Sequence, residues 1–229
     1  MIIKKNLYLG FLICAILSTS QVIFTQGNYK MHKEPEMKKP FKLALVQMKV
    51  EGGNRSANLA HAEKMIAEAA RNGAQVLLLP EAMDLGWTHP SALDDAQPIP
   101  DGKTCKFLKA QAKKYNVYIC SGMIEKEEKT VYNSAVLIDP QGNVILKHRK
   151  IYELDIGHPY YAVGDRLHVA ETKLGTIGIL ICADANTEDQ VLTRSLAYMG
   201  ADVILSPCSW AVEADHDNQK EPYLSLIHI

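Results

Sequence analysis

Short, wholly apolar runs alternate with amphipathic segments through the middle of this chain of 229 residues. Residues 41–47 and 76–80 have the character of strands, and between them a helical spacing of apolar residues starts after Asn54 and stops at Gly73. An apolar run without polar alternation is typical of a strand that is covered on both faces. The alternation therefore predicts helix-connected strands and an α/β fold.

Beyond residue 100 the pattern changes from helix-connected strands to hairpins. Apolar runs separated by short polar or glycine-containing turns predict antiparallel pairs. The predicted elements are, in order, a helix over 102–115, strands over 117–120, 122–125, 131–138, 144–147, 167–170 and 177–181, a helix over 186–200 with positions 191, 192, 196 and 199 inward, and a strand over 203–206. This order predicts an α/β domain with one mixed sheet or two sheets, covered by helices.

The N-terminal residues differ from the rest of the chain. Lys4 and Lys5 precede a long apolar run, which is typical of a secretory signal, with a cleavage site after Ser20. The run is also near the lower length limit of a membrane-spanning helix, so an uncleaved anchor is the alternative. We expect residues 1–25 to be a signal peptide or N-terminal anchor and residues 26–40 to be a linker. The protein is then exported, to the periplasm or outside the cell, or held at the membrane by this segment.

Charge and motif content exclude several functional classes. The 25 Lys and Arg residues nearly balance the 26 Asp and Glu residues, for a formal net charge of −1, and no basic run carries interleaved aromatics. We therefore expect no nucleic-acid partner. The chain has no glycine-rich dinucleotide or phosphate loop after a strand and no Cys-x-x-Cys pair. Neither a nucleotide cofactor nor a zinc site is expected.

Three segments carry side chains that are suited to catalysis, although each is weak evidence alone. Glu81 follows an apolar strand, at the sheet edge where active sites of α/β folds gather, but a single Glu there is more often a solvated surface residue. Lys150 ends a His-Arg-Lys run, which is usually a basic surface turn. Cys182 ends another apolar strand before a predicted helix, whose amides would lower the pKa of the thiol. A lone Cys in such a run is more often a core residue.

Taken together, the three segments resemble the signature segments of the nitrilase superfamily of carbon–nitrogen hydrolases. These are a strand ending in Pro-Glu81, a His-Arg-Lys150 run followed by an apolar residue, and an apolar strand ending in Cys182. They occur in the order of the family, with Lys150 lying 69 positions after Glu81. The resemblance covers residues 41–223 and includes the Tyr-Asn-Ser-Ala segment at 132–135. It implies an α-β-β-α sandwich with mixed sheets.

The resemblance also implies roles for the site residues. Glu81 is expected to be the general base that takes the proton of Cys182, the nucleophile, and later returns a proton to the leaving amine. Lys150 is expected to face the tetrahedral oxyanion, assisted by the backbone N–H of Ala183. Ammonia or an amine then leaves, and water hydrolyses a Cys thioester. This chemistry needs no metal or organic cofactor.

Two further features bear on the substrate. Many members of the superfamily carry another Glu after the Lys, which helps to position substrate; Glu153 is favoured here, with Asp155 and His158 as alternatives. True nitrilases usually show Cys-Trp-Glu, whereas this chain has Cys182-Ala-Asp184. We therefore expect a small-molecule amide or N-carbamoyl substrate rather than a nitrile.

The C-terminal residues suggest a truncated domain. One reverse translation of residues 224–229 matches the end of a common sequencing adaptor, so we expect these six residues to be a non-native tail. Family domains usually continue for some tens of residues beyond the point that matches Tyr223. We expect a truncated hydrolase domain over 41–223 and, for a full-length chain, a homo-oligomer.

Hydrolysis of a nitrile to an acid and ammonia is the alternative reaction for the enzyme, and two other functions remain open at the level of sequence. One is a catalytically silent, truncated homologue that keeps the fold. The other is a redox or binding protein in which Cys182 forms a disulfide with Cys120 or Cys208.

Overall fold

The strands form two sheets, each with helices on its outer face, in the part of the chain that the computed structural model describes, residues 40–209. The predicted signal or anchor, nearly all of the linker and the tail at 224–229 lie outside the described residues and stay predictions. No helix among residues 40–209 combines the length and the hydropathy that crossing a bilayer requires. The predicted α-β-β-α arrangement is confirmed.

The larger sheet has five strands in the spatial order β1-β2-β3-β4-β5. The first three strands run parallel, and β3, β4 and β5 pair antiparallel as two hairpins. The strand bounds are Leu43–Leu45 (β1), Val76–Leu78 (β2), Tyr118–Glu127 (β3), Thr130–Ile138 (β4) and Val144–Arg149 (β5).

Three helices belong to this half of the chain: Arg55–Arg71 (α1), Ser91–Asp95 (α2) and Lys103–Tyr115 (α3). Helix α1 begins as predicted after Asn54, whose side chain accepts a hydrogen bond from the Ala57 backbone N–H at 3.2 Å. The apolar faces of α1 and α3 pack on the outer face of the sheet in one buried cluster. This packing holds the strands of the larger sheet in place, and the candidate site lies at the ends of two of them.

The smaller sheet has the order β6-β7-β8, with β6 antiparallel and β8 parallel to β7. Its strands are Val169–Thr172 (β6), Gly175–Ile179 (β7) and Val203–Leu205 (β8). A second buried cluster, contributed by both sheets, fills the space between them and includes Cys120 and Cys182. The sandwich is therefore joined by apolar packing rather than by a continuous backbone ladder.

Strand β3 corrects one prediction. The sequence predicts separate strands over residues 117–120 and 122–125, but Gly122 pairs with Ala135 inside one strand of 10 residues. A Cβ atom at Gly122 would lie 2.5 Å from the Cα atom of Glu81. Gly122 therefore does not break the strand. Its missing side chain instead leaves room for the backbone of Glu81.

The helix predicted over 186–200 is also wrong in its extent. Two short 3₁₀ turns, Cys182–Asn186 and Glu188–Gln190, precede an α-helix of only eight residues, Val191–Tyr198 (α4). Asp189 and Gln190 each have a φ of 52°, a left-handed conformation that an α-helix does not contain.

The inward face predicted for this helix is largely wrong as well. Of its four predicted residues only Leu196 is buried, where it packs against Gly178 of β7. Val191 and Met199 are exposed.

Candidate active site

Three strand ends meet at the candidate site. Glu81 follows β2, Lys150 follows β5 and Cys182 follows β7, so the three side chains expected to act together come from both sheets. Their exposed fractions are 1%, 2% and 5%, respectively. Because β2 and β5 belong to one sheet and β7 to the other, the site lies where the sheets face each other.

The Glu81 carboxylate is held by hydrogen bonds on both oxygens. Oε1 accepts from the Nζ of Lys150 at 2.9 Å and from the Nδ2 of Asn133 at 2.7 Å. Oε2 accepts from the backbone N–H of Ser209 at 3.0 Å. A carboxylate fixed in this way keeps one orientation toward the neighbouring thiol.

Lys150 lies between two carboxylates. Its Nζ donates to Glu81 Oε1 at 2.9 Å and to Glu153 Oε1 at 3.0 Å, and it stands 5.3 Å from the ring centroid of Trp87. Burial acts to lower the pKa of the ammonium, but the two carboxylates outweigh it and raise the pKa above its usual range. Lys150 is therefore a fixed positive charge at neutral pH.

Three residues were candidates for the substrate-positioning role after Lys150. Of these, the structure brings only Glu153 into the site. Its Oε1 also accepts from the Leu154 backbone N–H at 3.0 Å, and the side chain is buried, whereas Asp155 and His158 are exposed. A Cβ atom at Gly157 would lie 2.6 Å from the Cδ atom of Glu153. The glycine leaves the space that the carboxylate occupies.

Asn133 is a site residue that the sequence does not single out, although it lies in the Tyr-Asn-Ser-Ala segment. Its Nδ2 donates to Glu81 at 2.7 Å and to Glu153 at 3.4 Å. Its Oδ1 is buried and has no hydrogen-bond partner among residues 40–209. One amide on β4 therefore binds both carboxylates.

Cys182 begins the first 3₁₀ turn with a φ of 47°, a conformation that residues other than glycine seldom adopt. Its backbone N–H donates to the carbonyl of Pro207 at 3.1 Å. Ala183, whose backbone N–H is the expected second oxyanion donor, follows it and is buried. Strained backbone at a nucleophile is one way in which a fold presents a side chain to substrate.

The expectation of a lowered pKa at Cys182 is wrong. A hydrogen bond with the Cys208 side chain, burial, and the negative charge of Glu81 together raise the pKa of the thiol far above its usual range, and Lys150 only partly opposes them. The turn after Cys182 is a five-residue 3₁₀ helix rather than the start of the predicted α-helix. The surroundings of Cys182 therefore favour the neutral thiol over the thiolate.

Cys208 is a second thiol at the site, which the sequence suggests only as a possible disulfide partner. It is exposed, and the hydrogen bond with Cys182 lowers its pKa to about 7. Its backbone carbonyl accepts from the Glu81 N–H at 3.3 Å. None of the four cysteines among residues 40–209 is part of a disulfide.

The described residues contain no cluster of three or more His, Cys, Asp and Glu side chains that could hold a metal ion. The hydrogen-bonded side chains at the site are instead one ammonium, two carboxylates and a carboxamide, with the thiols of Cys182 and Cys208 beside them. Such a set can move a proton and stabilise an oxyanion beside a nucleophile.

The comparison with known sequences decides the family. The sequence profile described as "Carbon-nitrogen hydrolase" matches residues 42–222. This chain belongs to the carbon-nitrogen hydrolase family. The membership predicted from the Glu81, Lys150 and Cys182 segments is thereby confirmed.

Two curated relatives illustrate the range of the family. A nitrilase of Pyrococcus abyssi is 37% identical over 172 residues, which cover 73% of this chain and 64% of the relative. The omega-amidase NIT2-A of Xenopus laevis is 32% identical over 177 residues, which cover 73% of this chain and 63% of the relative. The chain thus spans a little under two thirds of the length of these relatives.

A solved structure agrees with the fold of this family member. A mutant of an amidase from Nesterenkonia sp. AN1, whose structure shows acrylamide added to the active-site cysteine, superposes with a TM-score of 0.68 at 19% identity. The match covers 76% of this chain and 69% of that amidase.

Proposed function

We propose that this chain is the catalytic part of a thiol hydrolase that cleaves an amide or N-carbamoyl carbon–nitrogen bond. The observation that carries the proposal is the buried Glu81–Lys150–Glu153 ion cluster beside Cys182. Burying three charges together is costly unless they are mutually paired, and clusters of this kind concentrate at functional sites. The omega-amidase and amidase relatives support the choice of bond.

The first chemical step transfers the Cys182 proton to Glu81. Since the thiol is neutral before substrate binds, proton transfer accompanies attack of the sulfur on the carbonyl carbon. The carbonyl oxygen becomes an oxyanion, which Lys150 and the backbone N–H of Ala183 stabilise. The tetrahedral intermediate then collapses, the carbon–nitrogen bond breaks, and the nitrogen takes the proton from Glu81.

The second half of the reaction regenerates the thiol. Ammonia or an amine has left and the acyl group is a thioester on Cys182. Glu81 takes a proton from water, and the hydroxide attacks the thioester beside Lys150. Collapse releases the carboxylic acid, or the carbamic acid from a carbamoyl substrate, and the Cys182 sulfur regains its proton from Glu81.

Glu153 positions Lys150 in this scheme. It is the second carboxylate that holds the ammonium, and it also accepts from Asn133, so the charge that meets the oxyanion cannot swing away. The formal charges of Glu81, Glu153 and Lys150 add to −1, which favours a neutral or positively charged group at the reacting centre. Primary amides and ureido groups meet this requirement.

Nitrile hydrolysis is the second candidate, because the Pyrococcus abyssi relative carries the name nitrilase. The same nucleophile would add to the nitrile carbon and two waters would be consumed before ammonia and the acid are released. The Ala183-Asp184 pair after the nucleophile favours the amide over the nitrile.

The test uses the purified 229-residue protein and a panel of primary amides, N-carbamoyl amino acids and nitriles. We expect ammonia release from amides or carbamoyl compounds and an acyl adduct on Cys182 after acid quench, seen by mass spectrometry. Cys182→Ala is expected to lose both, whereas Cys105→Ala, which removes a buried thiol of α3, keeps both.

Each other outcome has a definite meaning. Release from nitriles alone would favour the second candidate. Activity retained in Cys182→Ala contradicts the mechanism. A folded protein that is silent on the whole panel and forms no adduct supports a silent homologue.

A further inference from the structure

Asp184 lies two residues after the nucleophile and takes no part in the proposed bond-breaking steps. Its side chain is fully buried. Oδ1 accepts from the backbone N–H groups of Ile151 at 3.0 Å and Tyr152 at 2.7 Å, and Oδ2 accepts from that of Ile181 at 2.9 Å. One carboxylate thus binds the backbone on both sides of the site.

His148 completes this set of hydrogen bonds. It lies on β5 two residues before Lys150, is buried, and its Nε2 stands 2.8 Å from Asp184 Oδ2. The Nδ1 atom is buried and has no partner among residues 40–209. Because Asp184 is an acceptor, Nε2 carries the hydrogen in this pair and donates it.

The bonded backbone groups flank the catalytic side chains. Ile151 and Tyr152 directly follow Lys150, and Ile181 directly precedes Cys182. The strands that lead to these positions, β5 and β7, belong to different sheets. Within residues 40–209 no backbone ladder joins these two strands, so side chains must set the spacing of the ammonium and the thiol.

We propose that Asp184 and His148 are positioning residues that fix the spacing between the Lys150 ammonium and the Cys182 thiol. The inference rests on the proposed function, since the spacing matters because Lys150 must meet the oxyanion that forms beside the sulfur. Four hydrogen bonds on a buried carboxylate leave it one orientation, and displacement of a catalytic group by about 1 Å can lower a rate about 100-fold.

Two substitutions of His148 test whether the hydrogen bond from Nε2 to Asp184 is needed. Glutamine places an amide N–H near the position of Nε2, and asparagine, one methylene shorter, does not reach Asp184. We expect His148→Gln to keep kcat within about threefold and His148→Asn to lower it about 10- to 100-fold with little change in KM. His148→Leu is expected to act like His148→Asn.

Thr104→Val is the matched control. The Thr104 hydroxyl donates to Asp84 Oδ2 at 3.0 Å, and Asp84 is another fully buried carboxylate that also accepts a backbone N–H, that of Ile124. The control therefore removes one side-chain donor from a comparable network outside the ion cluster. We expect it to lower Tm about as much as His148→Asn does, with kcat unchanged.

A readout that needs no substrate separates this inference from the proposed function. The rate at which iodoacetamide alkylates Cys182, followed by peptide mapping at one pH, depends on how well Lys150 favours the thiolate. We expect a severalfold slower rate in His148→Asn and wild-type rates in His148→Gln and Thr104→Val. This comparison stands even if no panel substrate is hydrolysed, which would refute the proposed function alone.

Three results would overturn the positioning role. The first is a kcat and an alkylation rate in His148→Asn equal to those of wild type. The second is an equal loss of kcat in His148→Asn and Thr104→Val when both variants lose the same amount in Tm. The loss of kcat would then reflect lower stability rather than a change in position. The third is an equal loss in His148→Gln and His148→Asn. If His148→Leu does not fold, the Gln and Asn pair carries the test.

Discussion

At the scale of single residues, the site depends on one buried ammonium that two carboxylates share. Lys150 keeps its charge because Glu81 and Glu153 raise its pKa against the effect of burial. The ammonium in turn makes the burial of the carboxylates tolerable. Removing any one member therefore changes both the chemistry and the stability of the fold.

Lys150→Met is expected to lower kcat by about 10²- to 10³-fold, as does the removal of an oxyanion donor in other hydrolases. It should also lower the free energy of unfolding by about 3–5 kcal/mol, because two buried carboxylates then lose the positive charge that compensates them. Adding Glu153→Gln is expected to restore part of the stability and none of the activity. Steady-state kinetics and urea unfolding measure the two effects, and a parallel recovery of both would contradict this account.

The pKa of Cys182 gives a prediction with a definite sign. A nearby negative charge disfavours the thiolate and raises the thiol pKa, so Glu81→Gln is expected to lower the pKa of Cys182. The variant should then react with iodoacetamide at a lower pH than wild type does, while amide hydrolysis is lost with its base. Peptide mapping across a pH series measures the shift. An unchanged or higher midpoint would show that Glu81 does not add to the effects of the Cys208 hydrogen bond and of burial on this pKa.

At the scale of elements, the sequence was a good guide to which strands precede Glu81, Lys150 and Cys182, with ends two residues from those observed, and a poor guide to the turns and helix beyond Cys182. Apolar runs end just before Glu81 and Cys182, and a basic run ends at Lys150, so a local pattern marks each of the three positions. The break at residues 189–190 depends on backbone conformations that the local apolar pattern does not encode. Contacts between residues far apart in the chain, such as those of Asn133 with Glu81 and of Asp184 with His148, arise only when distant strands meet, so no local pattern predicts them.

Gly122→Ala tests the contact between β3 and the backbone that carries Glu81. The new Cβ atom would lie 2.5 Å from Glu81 Cα and 2.8 Å from Ala82 N, so one strand must move. We expect a loss of about 1–3 kcal/mol in the free energy of unfolding, together with a strong loss of kcat. Gly200→Ala, with a φ of 91° and nothing within 4 Å of the new atom, is the control that should cost stability alone.

Gly157→Ala tests the space that admits the second carboxylate. The new Cβ atom would lie 2.6–2.7 Å from three atoms of the Glu153 side chain, whose far end can move away. We expect kcat to fall about as far as in Glu153→Ala, and no further fall when Gly157→Ala is added to that variant. Additive losses would show that Gly157 acts on something other than Glu153.

At the scale of the whole molecule, the exposed face of α4 bears on assembly. Val191, Tyr198 and Met199 are exposed there, with Tyr198 at 91%. Since a homo-oligomer is expected for a full-length chain, we propose that a second copy covers this helix in that assembly. Tyr198→Glu is then expected to shift the protein toward monomer in light scattering after gel filtration. An assembly of unchanged size would place the subunit contact elsewhere.

The parallel pairing of β8 with β7 has a consequence for synthesis on the ribosome. Cys182 donates its backbone N–H to Pro207, and Glu81 binds Cys208 and Ser209, so the segment after β8 fixes both the nucleophile and the base. A nascent chain that has emerged only as far as α4 already contains all three catalytic side chains but cannot yet hold them in place. We therefore expect the candidate site to assemble only after residues 207–209 have emerged and docked.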